Sequence, residues 1–268
     1  MLSTARVPIG KVVGHASQRE EDLLAVEEPL EIRLGRRSLS VTMRTPGDDF
    51  DLAAGFLFAE GIITSPTQIR GIEHAPDGNP NIVVVELAPD AVVKPVVLQR
   101  GFVMTSACGL CGKVSLKALE ANRCPVLPRS SLKIDPVVLH DLPERLRRQQ
   151  AVFESTGGLH AAALFNADGE LESLREDVGR HNAVDKLIGH ALLNSRIPLR
   201  DSVMLVSGRA SFELVQKALM ASIPLLAAVG APSSLAVSTA ERCAMTLVGF
   251  LRNGRFNVYS GSSCITGL

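Results

Sequence analysis

The sequence predicts an α/β (α+β) protein: a small mixed β/α subdomain followed by a larger half in which strands and helices alternate. Three observations carry this. Short apolar runs at Val203 to Val206 and Leu225 to Val229 are each followed by a polar turn and a helix-spaced segment. The first half instead clusters short strand-like runs around a single helix. Between them lies Cys124-Pro125-Val126-Leu127-Pro128, which reads as a linker. The expected division is a frayed or disordered N-terminus (1–22), an N-terminal subdomain (23–128) and a second domain (129–268).

In the first half, Leu30 to Leu34 and Leu39 to Met43 read as strands joined by Gly35-Arg36-Arg37. Thr45-Pro46-Gly47-Asp48-Asp49 starts a helix to about Glu60, with Leu52, Ala53, Phe56 and Leu57 inward. Ile82 to Leu87 is a further strand, after the turn at Asp77-Gly78-Asn79-Pro80. A short helix is expected over Val114 to Glu120. In the second half, Asp135 caps a helix with Pro136 at its first position, and helical pattern runs to about Phe153, interrupted near Pro143. Ala161 to Phe165 and Leu171 to Arg175 form a hairpin around Asn166-Ala167-Asp168-Gly169. Arg180 to Leu193 is a helix whose apolar stripe is Ala183, Val184, Leu187, Ile188, Ala191 and Leu192. Further helices are expected over Phe212 to Ala221 and, as one long element, over Ser233 to Leu251. Phe256 to Ser260 is the final strand.

Composition narrows the function. The chain has 268 residues, 46% of them apolar, enough for a substantial core. Its 28 basic and 28 acidic residues cancel, which argues against a nucleic-acid or anionic-membrane partner. With no Trp and one Tyr, the composition argues against aromatic base-stacking platforms. The N-terminus has no apolar core of signal-peptide type, and no apolar run is long enough for a bilayer, so a cytoplasmic protein is expected.

Five cysteines are present, and two form the chemically densest stretch of the chain, Ser106-Ala107-Cys108-Gly109-Leu110-Cys111-Gly112-Lys113. A thiolate is the reactive form, nearby cations favour it, and the glycines leave room for a partner to reach the sulfurs. Three trades fit the pair. Zinc needs four ligands, and Cys124, Cys243 and Cys264 are scattered. A dithiol redox pair normally follows a strand inside a βαβ unit, which is missing here. A sulfur carrier needs one thiolate to hold sulfane sulfur as a persulfide. Cys243 reads as a small core hydrophobe.

Polar turns precede several helices of the second half. Glu176-Asp177-Val178-Gly179-Arg180-His181-Asn182 packs charged and polar groups at one helix start, more than a cap requires. Ser207-Gly208-Arg209-Ala210-Ser211 offers backbone N–H groups, hydroxyls and a guanidinium to a phosphate, without Walker A spacing. Ala231-Pro232-Ser233-Ser234 is a third such turn. Ligands in α/β sheets bind beyond the carboxyl ends of strands, so the three suit a sizeable phosphate-bearing ligand. Asn257, Tyr259 and Ser260 offer polar groups to a base or sugar.

These motifs together resemble the formate dehydrogenase accessory sulfurtransferase family, FdhD. The resemblance rests on the Ser-x-Cys-Gly-x-Cys-Gly-Lys loop at 106–113, the Glu-Asp-Val-Gly-Arg-His-Asn-x-x-Asp-Lys run at 176–186, the Ser-Gly-Arg-x-Ser turn and the Pro-Ser-Ser-Leu-Ala helix start. It extends from about Glu28 to Gly261. It implies a sulfurtransferase of molybdenum cofactor biosynthesis. Cys108 would bear a persulfide received from a cysteine desulfurase, with Cys111 as its partner thiol. The acceptor would be the Mo-bis(molybdopterin guanine dinucleotide) cofactor destined for formate dehydrogenase. Cofactor contacts are expected at Phe256, Asn257, Val258, Tyr259, Ser260 and Gly261, with Arg180, His181, Ser207, Gly208 and Arg209 at the polar turns. The implied fold of the second half is a three-layer, cytidine-deaminase-like domain, usually as a homodimer. Zinc deaminases place metal ligands at two helix starts. Here those starts carry Arg180-His181-Asn182 and Ser207 to Ser211, so no metal of its own is expected. The rival readings are a dithiol–disulfide oxidoreductase and a non-enzymatic cofactor chaperone.

Overall fold

A computed structural model describes residues 2–91, 102–103 and 124–268. The expected helix at Val114 to Glu120 and the thiol stretch lie outside the described residues. The first element is a hairpin of β1 (Thr4–Val13) and β2 (Ala16–Ala25), paired antiparallel along their whole length. This corrects the expectation of a frayed N-terminus. Its strands carry little apolar alternation because they bury little against the body, so the pattern that marks a strand is weak there.

The first half builds a five-stranded sheet in the order β5-β6-β3-β4-β7. Its members are β3 (Glu28–Leu34), β4 (Arg37–Arg44), β5 (Ile69–His74), β6 (Ile82–Leu87) and β7 (Phe102–Val103). Helix α1 (Asp49–Ala59) follows β4 and is anchored by Arg44, which is fully buried. Arg44 donates from Nε and Nη2 to the two oxygens of Asp49, at 2.9 Å each, and from Nη2 to Asn81 Oδ1 at 2.9 Å. The bidentate pairing fixes where the helix leaves the sheet.

The second half is a six-stranded sheet in the order β13-β12-β11-β10-β8-β9, made of β8 (His160–Phe165), β9 (Leu171–Asp177), β10 (Val203–Val206), β11 (Leu225–Ala228), β12 (Thr246–Arg252) and β13 (Arg255–Ser260). The pairs β10–β11 and β11–β12 are parallel and the rest antiparallel. Strand alternation divides two cores. Met204 and Val206 face one with α1, α4 (Arg180–Leu193), α5 (Phe212–Met220) and α6 (Ser234–Arg242), while Val203 and Leu205 face another beneath α2 (Pro136–Gln149). The result is the three-layer arrangement of helices on both faces of a sheet. Asp135 caps α2 by accepting from Val137 N at 2.7 Å. A short α3 (Ala151–Thr156) follows and stops at Gly157, whose φ of 66° suits glycine.

The expected long helix from Ser233 to Leu251 is corrected. It ends at Arg242, Ala244 turns the chain at φ 58°, and Thr246 to Arg252 is β12. This strand is flanked by neighbours on both sides and buried on both faces, so its residues are apolar without alternation and coincide with a helical stripe. Cys243 is the residue after α6 and is 1% exposed, within the first core.

The two expected domains own separate sheets but share the first core, which joins α1 to α4, α5 and α6. The joint is a close helix crossing. A Cβ on Gly55 would lie 1.9 Å from Asp185 O, and one on Gly189 would lie 1.8 Å from Asp51 O. Arg175 on β9 reinforces it, donating to Asp51 Oδ2 at 2.8 and 3.1 Å. Gly189→Ala is therefore expected to destabilise the protein by about 3 kcal/mol or more, through overpacking against backbone. Urea denaturation reads this, and an unchanged midpoint would refute the crossing.

Candidate functional site

The turns beyond β10 and β11 are knitted into one rim by backbone hydrogen bonds. Ser207 N donates to Ala161 O and Ala161 N to Ser207 Oγ, both at 2.9 Å. Gly230 N donates to Gly208 O at 2.9 Å, Ser233 N to Ala210 O at 3.0 Å, and Phe250 N to Gly230 O at 3.0 Å. Glycines permit this closeness. A Cβ on Gly230 would stand 3.0 Å from Gly208 O, and one on Gly249 would stand 2.8 Å from Pro232 Cδ and 3.0 Å from the Tyr259 ring. The N-termini of α4, α5 and α6 open at this rim, an arrangement that favours anions.

The Glu176–Asn182 run divides into support and site. Asp177 is fully buried. Its Oδ1 accepts from Gly179 N at 2.8 Å and Asn182 Nδ2 at 2.9 Å, and its Oδ2 accepts from Lys186 Nζ at 2.8 Å and Thr45 N at 3.2 Å. Lys186 also donates to Thr45 O at 2.8 Å, and Asn182 to Met43 O at 2.7 Å. Glu176 accepts from Val152 N and Phe153 N, holding the start of α3. The polar density expected to bind a ligand thus mostly welds α4 to the end of β4. Two members stand beside the Ser207–Ser211 turn instead. Arg180 is half-buried, with an Nε that is buried and has no hydrogen-bond partner. His181 is 6% exposed, its Nε2 3.4 Å from Ser211 Oγ and 3.9 Å from Glu213 Oε2.

The structure brings Arg180, Ser207 and Gly208 together. A Cβ on Gly208 would lie 3.9 Å from Arg180 Cδ and 3.4 Å from His160 Nδ1. Arg209 is exposed, beside Gly230. The 256–261 segment is divided. Tyr259 lies against Gly249, and Asn257 Nδ2 donates to its hydroxyl at 3.2 Å. Phe256 instead packs on His140 of α2, with ring centroids 4.9 Å apart. Val258 pairs with Val248, Ser260 donates to Met245 O at 2.9 Å, and Gly261 turns the chain at φ 51°. Among the described residues no group of three or more His, Cys, Asp or Glu is placed to hold a metal ion. Cys108 and Cys111 lie outside the described residues.

Sequence reasoning missed His160. His160 opens β8 opposite Asp177, and burial first, then the charge of Arg180, push its pKa down against the opposing pull of Asp177. It is therefore a neutral imidazole at neutral pH, with one donor and one acceptor nitrogen. The only signal for it in the sequence is a histidine just after Gly157-Gly158.

A rim of glycine turns and two arginines thus stands at the strand ends of a three-layer α/β body. The chain matches the FdhD/NarQ family model over residues 25–266 and belongs to that family. It is 53% identical over 266 residues to the sulfur carrier protein FdhD of Streptomyces coelicolor, covering 97% of this chain and 94% of that one. With the sulfur carrier protein FdhD of Sulfolobus acidocaldarius it shares 44% identity over 259 residues, 97% of each chain. A crystal structure described as a formate dehydrogenase accessory protein from Desulfotalea psychrophila superposes with a TM-score of 0.78 at 26% identity, over 98% of this chain and 100% of that one. No helix among the described residues is long and apolar enough to cross a membrane.

Below the rim, Lys217 Nζ meets Asp185 Oδ1 and Oδ2 at 2.6 and 2.8 Å, with Asp185 fully buried. Burial outweighs the lysine and pushes the Asp185 carboxyl up to about 6. The folded protein then holds this proton more tightly than the unfolded chain, whose carboxyl titrates near 3.8. The stability contributed by Asp185 is full below 3.8 and is lost as pH rises through about 6. Asp185→Asn cannot ionise, so its largest deficit against the parent is expected at low pH, where the parent's Asp185 carboxyl is protonated. Its deficit should shrink as pH rises over that interval. Urea profiles of both proteins check this, and a deficit that stays constant with pH would refute it.

Proposed function

We propose that the protein is a cytoplasmic sulfur carrier for formate dehydrogenase maturation, with Cys108 as the persulfide-bearing thiol and Cys111 as its assistant. The observation that carries this is the disposition of the cysteines. Cys243 and Cys264 are 1% and 3% exposed, with their thiols near the carbonyls of Cys124 and Pro224. Cys124 is half-buried and packs against the first core. The three serve packing, which leaves the Cys108/Cys111 pair for chemistry. The relatives' name, sulfur carrier protein FdhD, supports the same reading.

Loading conserves electrons. The Cys108 thiolate attacks the outer sulfur of a cysteine desulfurase persulfide, a new S–S bond forms, the donor's S–S bond breaks, and the donor thiolate leaves. The acceptor is the Mo-bis(molybdopterin guanine dinucleotide) cofactor, here a substrate, which goes on to formate dehydrogenase. Its phosphates are held at Ser207 to Arg209 and Arg180, and Asn257 and Tyr259 contact its nucleotide end. Connectivity supports a short path between donor and acceptor. β7 pairs in parallel with β4, with Val103 beside Val41, and β4 ends at the residues welded to the start of α4. Cys108 follows Val103 by five residues, a chain reach of at most about 18 Å. A homodimer is the working assembly.

The tryptic peptide 101–113 isolates the thiol pair, since Arg100 precedes it and Lys113 ends it. After incubation with a cysteine desulfurase and cysteine, this peptide is expected to gain the mass of one sulfur atom on Cys108. Cys108→Ala is expected to abolish both the gain and the production of active formate dehydrogenase in cells. Active formate dehydrogenase with Cys108→Ala would sink the sulfur-carrier role and leave a cofactor chaperone.

A further inference from the structure

The amino ends of β10 and β11 lie at the opposite end of the sheet from the rim, about 13 Å away along four-residue parallel strands. A cleft of about 270 Å³ opens there, between the sheet and the chain that leaves the linker. Leu127 and Pro224, both buried, form its base. Its walls are polar. Arg129, Ser130 and Ser131 come from the chain after the linker, and Arg200, Asp201 and Ser222 from the turns that lead into β10 and β11.

Hydrogen bonds hold these walls together. Ser130 Oγ donates to Arg200 O at 3.2 Å and accepts from Leu132 N at 3.0 Å. Ser131 Oγ donates to Asp201 Oδ1 at 3.3 Å, and Leu127 N donates to Cys243 O at 3.0 Å. Pro128 narrows the backbone freedom just before Arg129. Two arginines from separate segments therefore line one small cavity. Neither guanidinium has a described carboxylate within 4.0 Å. By contrast, the exposed Arg147, Arg148 and Arg196 each reach a carboxylate. Two like charges at one cavity repel, and an anion between them turns that repulsion into attraction. The one carboxylate in the lining, Asp201, takes the Ser131 hydroxyl and neither arginine.

We propose that this cleft binds a phosphate group, as inorganic phosphate or as a phosphomonoester smaller than a nucleotide. Guanidinium forks match phosphate oxygens in pairs, and a phosphate has oxygens enough for both arginines where a carboxylate satisfies one. The Ser222 hydroxyl, without a partner among the described residues, supplies a further donor. The volume falls short of a drug-sized pocket, leaving room for a phosphate and a short substituent. A phosphate held by both arginines also fastens the chain after the linker to the sheet. The site shares no residue with the rim or the thiol pair, so it stands whether or not the sulfur-carrier reading holds.

The test treats the full-length protein with phenylglyoxal, which modifies accessible guanidiniums, with and without inorganic phosphate at constant ionic strength. Mass spectrometry reads modification residue by residue. Phosphate is expected to protect Arg129 and Arg200 saturably, with one half-saturation concentration for both. Arg36, which is exposed and reaches no described carboxylate, is expected to react at an unchanged rate. Arg200→Ala is expected to raise the phosphate concentration needed to protect Arg129 by about tenfold or more, the loss of one charge-assisted contact. Circular dichroism confirms that this surface variant folds. Glycerol 3-phosphate protecting at lower concentration than phosphate supports the site and identifies a phosphomonoester as its ligand, while the reverse order supports it and identifies the free ion. Acetate protecting as well as phosphate would overturn the choice of anion. Equal modification of Arg129 and Arg200 with and without phosphate, or undiminished protection of Arg129 in Arg200→Ala, would overturn the site itself.

Discussion

Helices α1 and α4 cross where neither carries a side chain. Glycine inside a helix costs about 1 kcal/mol relative to alanine, so two at one crossing need an offsetting gain. The gain is packing: the helix that follows β4 lies directly on the central helix of the second sheet, and one core serves both. That closeness has an electrostatic consequence. α4 is covered by α1 and α5 as well as by its own sheet, so Asp185 and Lys186 in its middle cannot reach water. Asp185 and Lys186 are each almost wholly buried, and each has its counter-ion inside, Lys217 for one and Asp177 for the other. Buried pairs of this kind add little net stability. Their effect is selective, because any other packing of α4 leaves a charge unpaired in the core.

The functional rim inherits its position from that selection. Asp177 ties the end of β9 and the first turn of α4 to Thr45, and Asn182 ties the same turn to Met43. Arg180 therefore emerges at a fixed place between the two sheets, against the Gly208 turn and His160. In a protein of zero formal charge, this concentrates positive potential where three helix N-termini already converge.

Local pattern made much of this legible in the sequence. The stripe of α4 predicts its core face, and the Asp135-Pro136 start of α2 is where the cap stands. What escaped depends on contacts distant in the chain. Asp177 and Asn182 look like ligand-binding groups because their partners, Met43 and Thr45, lie more than a hundred residues away. Without that pairing, a buried network and a binding site have the same composition. Similarly β12 mimics a helix because both of its faces are buried. The 256–261 segment reads as one contact surface, yet strand alternation sends Phe256 to α2 and Tyr259 to the rim. The Arg129–Arg200 cleft leaves no signature at all, since it exists only where the chain after the linker crosses the ends of two strands.

That same alternation bears on the shape of the ligand. Asn257 and Tyr259 stand at one face of the six-stranded sheet and a cleft lined by Gln150 and His160 at the other, with the Ser207 to Arg209 turn at the edge between them. A ligand that engages both must cross the sheet's edge, with its charged groups at the arginines. A pterin joined through a pyrophosphate to a guanosine has that form. On the cofactor reading proposed above, the polar turns would hold the charged linker, at the edge where backbone N–H groups and helix N-termini favour anions.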